Sequence, residues 1–199
     1  MIPFIYLASA SPRRRELLSQ LGVPHEVLPV SVDETPRVGE SAADLVCRLA
    51  ALKARAGMVV RPEREAPVMA ADTAVALGHE LFGKPADQAD AARMLARLSG
   101  RTHAVWTAVA VTDGRRERVE LNHSEVTFRA ITPEEIAAYW QTGEPADKAG
   151  AYAIQGLGAQ FIADLKGSYS GVMGLPLFEV AKLLSLFGSA LLPAGSTRP

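Results

Sequence analysis

Three successive arginines, Arg13, Arg14 and Arg15, stand where a helix should begin, the wrong end of a helix for positive charge. Ser11 suits the N-cap, Pro12 suits the first helical position, and Leu17, Leu18 and Leu21 follow at helical spacing until Gly22. Free backbone N–H groups and the helix dipole already make that end positive, so each cation there costs roughly 0.3–1 kcal/mol unless an anion lies nearby. A phosphate would remove the conflict, because helix N-termini bind anions and guanidinium forks match phosphate oxygens. The competing reading is a solvated arginine turn.

Other residues supply what a phosphate site needs beyond cations. Asp72 interrupts an apolar strand-like run, so its charge must be solvated by a cleft, paired in a structural salt bridge, or bound to a metal. Lys84 is held between Gly83 and Pro85 as a fixed positive point, while Glu34 in a loop and Lys53 on a helix add a carboxylate and a cation. Each is unremarkable alone. Together they match a triphosphate site, where cations neutralise phosphates and one or two carboxylates hold a divalent cation such as Mg²⁺ or Mn²⁺ with the substrate's own oxygens.

The elements that position these residues follow from local pattern. An apolar strand from Ile2 to Leu7 precedes the arginine helix, His25 to Val30 reads as a second strand, and Ser31 to Glu40 as a loop. Ser41 caps a helix reaching about Ala56, and Pro67 to Leu77 is a long strand turning at Gly78-His79. A helix spans Asp87 to Leu98. Strands from His103 to Thr112 and Arg118 to Arg129 pair antiparallel through Asp113-Gly114. Thr132-Pro133-Glu134-Glu135 is a capping box opening a helix to Gly143, followed by a long irregular stretch to Gly158 around Asp147, Lys148 and Gln155. Ala159 to Leu165 reads as a strand, Ser168 to Pro176 as a glycine-rich connection, and Leu177 to Phe187 as a closing amphipathic helix. The pattern predicts an α/β fold with a mixed central sheet and flanking helices, a single domain over residues 1–188, and a flexible tail over 189–199.

Bulk properties narrow the class. The 199 residues, 48% of them hydrophobic, can bury one substantial core, and a formal charge of −1 argues against nucleic acid and acidic membranes as partners. Cys47, the single cysteine, excludes an internal disulfide and reads as a packed thiol, in keeping with a reducing cytoplasm. A signal-like segment and a membrane-length apolar run are both absent, so the sequence predicts a soluble cytoplasmic protein. The four histidines, at 25, 79, 103 and 123, lie in no catalytic motif, and P-loop, dinucleotide, nucleophile-elbow and zincin signatures are missing.

Six ordered blocks resemble the Maf-type nucleoside triphosphate pyrophosphatases, the septum-formation inhibitor-like proteins. They are Leu7–Leu18, Ala71-Asp-Thr-Ala-Val75, Gly83-Lys-Pro85, Leu98-Ser-Gly-Arg-Thr-His103, Asp147-Lys-Ala-Gly-Ala-Tyr-Ala-Ile-Gln-Gly156 and Gly174-Leu-Pro176. The resemblance implies two lobes around a deep cleft in an inosine triphosphate pyrophosphatase-like fold, frequently a homodimer. It also implies metal-dependent hydrolysis of a nucleoside triphosphate to the monophosphate and pyrophosphate, in a housecleaning role. By that resemblance Ser9, Arg13, Arg14, Lys53 and Lys84 surround the phosphates, and Glu34 and Asp72 serve metal and water. Asp72 is the proton acceptor in such descriptions, although a carboxylate there can equally hold the metal. Thr73 and Gln155 resemble the dTTP/UTP branch, whereas the 7-methyl-GTP branch tends to show glutamine after the aspartate. An amide such as Gln155 offers both the donor and the acceptor that uracil and thymine require. A non-hydrolysing nucleotide- or RNA-binding regulator of division is the alternative from another class. Arg15, one step around the helix, is expected to be solvated.

Overall fold

The computed structural model describes residues 4–62, 65–188 and 191. The strands are β1 (Ile5–Leu7), β2 (His25–Val27), β3 (Val68–Leu77), β4 (Glu80–Phe82), β5 (Thr102–Thr112), β6 (Glu117–Phe128) and β7 (Ile162–Lys166). The helices are α1 (Pro12–Gln20), α2 (Ala42–Val60), α3 (Gln88–Leu98), α4 (Pro133–Gln141), α5 (Tyr169–Met173) and α6 (Leu177–Leu186). One sheet in the order β2-β1-β3-β5-β6-β7, with β4 also on β3, gives the mixed α/β architecture. β1 pairs parallel with β2 and β3, and every other pairing is antiparallel.

Most elements lie where local signals put them. Ser41 Oγ caps α2 by accepting from Asp44 N, and the Thr132–Glu135 capping box opens α4. Differences arise where tertiary contacts decide. β2 stops at Val27, and α2 runs a turn beyond Ala56 because Gly57 lets it press on the sheet: a Cβ there would lie 2.7 Å from Val68 Cγ1. The segment read as strand from Ala159 begins as a 3₁₀ turn over Leu157–Phe161, and the glycine-rich connection after Ser168 holds α5. β4 forms as an addition beyond the Gly78 turn. The expected first residues of β1 (Ile2 and Pro3) and the tail (except Leu191) lie outside the described residues.

The alternation of the long strands partitions the interior. One face of β3 and β5, with Ala70, Ala74, Ala76, Ala108 and Ala110, packs against α2. On the opposite face, Met69, Ala71, Val109 and Val111 join α1 and α6 in one core, while Val75 and Val105 join α3 and α4 in another. Between those two cores stand Thr73 and Thr107, polar residues at the same phase, with their hydroxyls 3.0 Å apart. This seam floors the cleft between the two lobes. Cys47 is half-buried against the α2 core, and burial together with Asp44 raises its thiol pKa, keeping it from the reactive thiolate.

Candidate active site

The cleft opens where β3 lacks a neighbour. On that side β1 covers Val68 and Met69 and β4 covers Val75–Leu77, leaving Ala70 to Ala74 facing no strand among the described residues. Asp72 and Thr73 lie within this gap. It lies beyond the carboxyl end of β1, between parallel strands reached through helices on opposite faces, the place where open α/β sheets bind ligands. The start of α1, the Glu34 loop, Lys84 and the segment around Gln155 surround a cleft of about 610 Å³, a size suited to a small molecule.

Lys53 projects from α2 between two carboxylates, with Nζ 2.6 Å from Asp72 Oδ1 and 2.7 Å from Glu34 Oε1. Asp72 and Lys53 are largely buried, while the Glu34 side chain is 60% exposed. Burial raises the Asp72 carboxyl above its ordinary value despite the opposing pull of Lys53 and Arg14; nearby Glu34 adds to the rise. Its Oδ2 carries no hydrogen bond among the described residues. Asp72 thus combines a fixed orientation with enhanced basicity.

The arginines divide their work. Arg14 donates from Nε to Gly174 O at 2.8 Å, and from its two terminal nitrogens to Ser9 Oγ and Thr73 Oγ1, each at 3.3 Å. It ties α1 to the cleft floor. Burial lowers its pKa, and Arg13 pushes the same way against Asp72 and Glu34. Arg13 reaches across the cleft mouth to Asp147, 3.8 Å away, and Arg15 is exposed as expected. Ser11 occupies the N-cap position without a side-chain cap; instead its N–H donates to Ser9 Oγ at 3.2 Å.

Lys84 and Gln155 line the cleft as exposed side chains with no hydrogen bond or ion pair among the described residues. All nine residues expected at the site therefore border one cavity: Ser9, Arg13, Arg14, Glu34, Lys53, Asp72, Thr73, Lys84 and Gln155. Sequence reasoning did not assign three supporting groups. Lys148, ion-paired with Asp147, adds a cation whose only signal was its place in the glycine-rich stretch. Arg48 grips both Glu40 oxygens at 2.6 and 2.7 Å and donates to Thr35 O at 3.1 Å, anchoring the loop that carries Glu34. Tyr152 borders the cleft and pairs through its hydroxyl with His103 Nε2 at 2.9 Å. His103 is thereby a core residue, and His123 stacks on Trp106.

The profile of the Maf-like protein family matches residues 4–187. The chain belongs to the Maf-like family. A dTTP/UTP pyrophosphatase from Methylococcus capsulatus is 54% identical over 194 residues, covering 96% of both chains. One of the same name from Aromatoleum aromaticum is 52% identical over 199 residues, covering 94% of this chain and 97% of its own. Among solved structures, the dITP/XTP pyrophosphatase of Mycobacterium abscessus covers 93% of both chains at 20% identity with a TM-score of 0.42. In this Maf-like chain the six sequence blocks separate by position. Five of them contribute residues to the cleft lining, Gly174 among them as the acceptor for Arg14, and the sixth, Leu98–His103, buries Leu98 and His103 in the core.

Proposed function

We propose that this chain hydrolyses dTTP and UTP to the monophosphate and pyrophosphate. The observation that carries this reading is the Lys53-bridged pair of Asp72 and Glu34 beside the arginine-bearing start of α1, in a chain over half identical to named dTTP/UTP pyrophosphatases. Arg13, Lys84, Ser9 and the first-turn N–H groups of α1 hold phosphate oxygens, and Arg14 fixes that end of the helix. Asp72 takes the proton of a water whose oxygen bonds to the α-phosphorus. The bond from that phosphorus to the bridging oxygen breaks, and pyrophosphate leaves with the electron pair, its charge spread over the cations. Gln155 reads the N–H and carbonyl edge of uracil or thymine, and Thr73 closes the Arg14 side.

The two carboxylates fit a hard divalent cation, Mg²⁺ or Mn²⁺, because both offer oxygen and Lys53 already marks a cation position between them. Glu34 and Asp72 would hold it; when bound, it would neutralise phosphate charge. The reading extends to one domain over residues 1–188, a homodimer, and a cytoplasmic housecleaning role on canonical and modified pyrimidine triphosphates. No helix among the described residues is long and apolar enough to cross a membrane.

The test is pyrophosphate release from dTTP, UTP, CTP and 7-methyl-GTP with Mg²⁺, Mn²⁺ or a chelator. Release from dTTP and UTP, lost on chelation, is expected. No release from any pyrimidine triphosphate overturns the reading, and release from 7-methyl-GTP alone moves the substrate to that branch.

A further inference from the structure

A polar network outside the cleft grips the segment that carries Gln155 at both ends. The chain from Ala153 to Gly158 has Gln155 near its middle, and Ile154 and Gln155 border the cavity. At one end, Ala153 N donates to Tyr139 Oη at 3.2 Å. That hydroxyl donates in turn to Glu144 Oε1 at 2.5 Å. At the other end, Leu157 N donates to Glu144 Oε2 at 2.9 Å and Gly158 N to Oε1 at 3.0 Å. One carboxylate therefore collects a phenol and two backbone N–H groups and closes a bracket around six residues.

The surroundings are built to this bracket. A Cβ on residue 156 would collide with the Glu144 carboxylate, and one on residue 158 would sit 2.6 Å from Tyr139 Oη and 2.8 Å from Ala153 O. Glycine at both positions lets the backbone close on the acid. Tyr139 packs edge-on against Phe161, with ring centroids 5.1 Å apart, so the phenol is anchored in the α3–α4 core. Neither Tyr139 nor Glu144 borders the cleft, and neither touches the expected place of the phosphates.

The geometry points to Glu144, acting through Tyr139 and the backbone of Ala153–Gly158, as the positioning residue that fixes the Gln155 amide against the nucleobase and so sets base selection. The inference rests on the pyrimidine reading of the cleft. A hydrogen-bonding amide discriminates between bases only if it cannot turn or shift to suit the wrong one, so its selectivity depends on the rigidity of its backbone. A carboxylate suits the bracket because it only accepts. A glutamine there would aim its NH₂ at a neighbouring donor, leaving at least one backbone N–H or the phenol unpaired.

The test uses the full chain with Glu144→Gln and Tyr139→Phe, measuring kcat and KM for UTP and CTP, and melting temperature. For Glu144→Gln, KM for UTP is expected to rise about tenfold with kcat nearly unchanged, and the UTP-over-CTP preference to fall about tenfold, the loss of roughly one ordinary hydrogen bond. Tyr139→Phe should move the same ratios in the same direction by less, and it carries the test alone if the first variant does not fold. A merely structural role would lower the melting temperature while KM and the UTP-over-CTP ratio stay at their wild-type values. That result, with a wild-type enzyme that prefers uracil, overturns the positioning role alone. A wild-type enzyme that does not distinguish the two bases overturns the base assignment to Gln155 and this inference with it.

Discussion

Lys53 Nζ donates to Asp72 Oδ1 over 2.6 Å, and this contact alone does not offset the burial that lifts the Asp72 pKa. Because its folded pKa is raised, Asp72 favours the fold below its unfolded pKa and loses that contribution as pH rises through the folded value. Ionised Asp72 is therefore a cost that the site sustains for reactivity. Asp72→Asn is expected to keep or raise the melting temperature while cutting turnover at least about a hundredfold. Turnover near wild type would remove both its roles.

Removing Lys53 leaves Asp72 and Glu34 facing one another without their shared cation. For Lys53→Met the expected destabilisation is about 2 kcal/mol, below the range for a fully buried pair because Glu34 is 60% exposed. Thermal unfolding with and without Mg²⁺ or Mn²⁺ checks the arrangement. The cation should raise the variant's melting temperature more than that of wild type, since it restores charge the ammonium supplied. Equal shifts in the two proteins would separate Glu34 and Asp72 from metal binding.

Neighbouring arginines should differ in whether stability falls with activity. Arg14→Ala loses three protein hydrogen bonds and is expected to lower stability by about 1–3 kcal/mol as well as activity. Arg13→Ala breaks one 3.8 Å contact and should leave the melting temperature unchanged while raising KM for UTP about tenfold. Arg15→Ala should alter neither. Paired unfolding and steady-state kinetics decide among these outcomes.

His103 is 2% exposed, and burial pushes its pKa down from 6.5 to about 4. With the folded value depressed, its contribution to stability is present above pH 6.5 and disappears as pH falls toward 4, on the order of 3 kcal/mol in all. His103→Gln, which keeps a polar partner for Tyr152, should flatten the melting temperature across that window. An unchanged acid slope would place the titrating group elsewhere.

The parts of this site that were legible in the sequence announce themselves locally. Arg13 and Arg14 conflict with a helix dipole, Asp72 breaks an apolar strand, and Lys84 sits between two backbone restrictors. The capping box of α4 and the Asp113-Gly114 hairpin likewise depend on neighbours a few residues apart. Tyr139 and Glu144 carry no such mark: one reads as a core aromatic, the other as a charge after a helix, and they become a bracket only when Leu157 folds back on them. Arg48 looks like a surface residue until Glu40 and Thr35 are brought to it. β2 falls short of Val30, where Pro29 has no N–H to offer a ladder, and α5 forms in a glycine-rich stretch where it packs on β5 and β6.

The β3–β5 ladder pairs every residue from Val68 with Thr112 to Ala76 with Ala104, without a bulge, beneath both cores that flank Thr73 and Thr107. A door cannot swing on an unbroken floorboard. Rotating one lobe against the other about the cleft would tear this ladder, so the sheet supplies a stiff bed that is already in place before any nucleotide arrives. Whatever motion admits and releases ligand must leave that ladder intact.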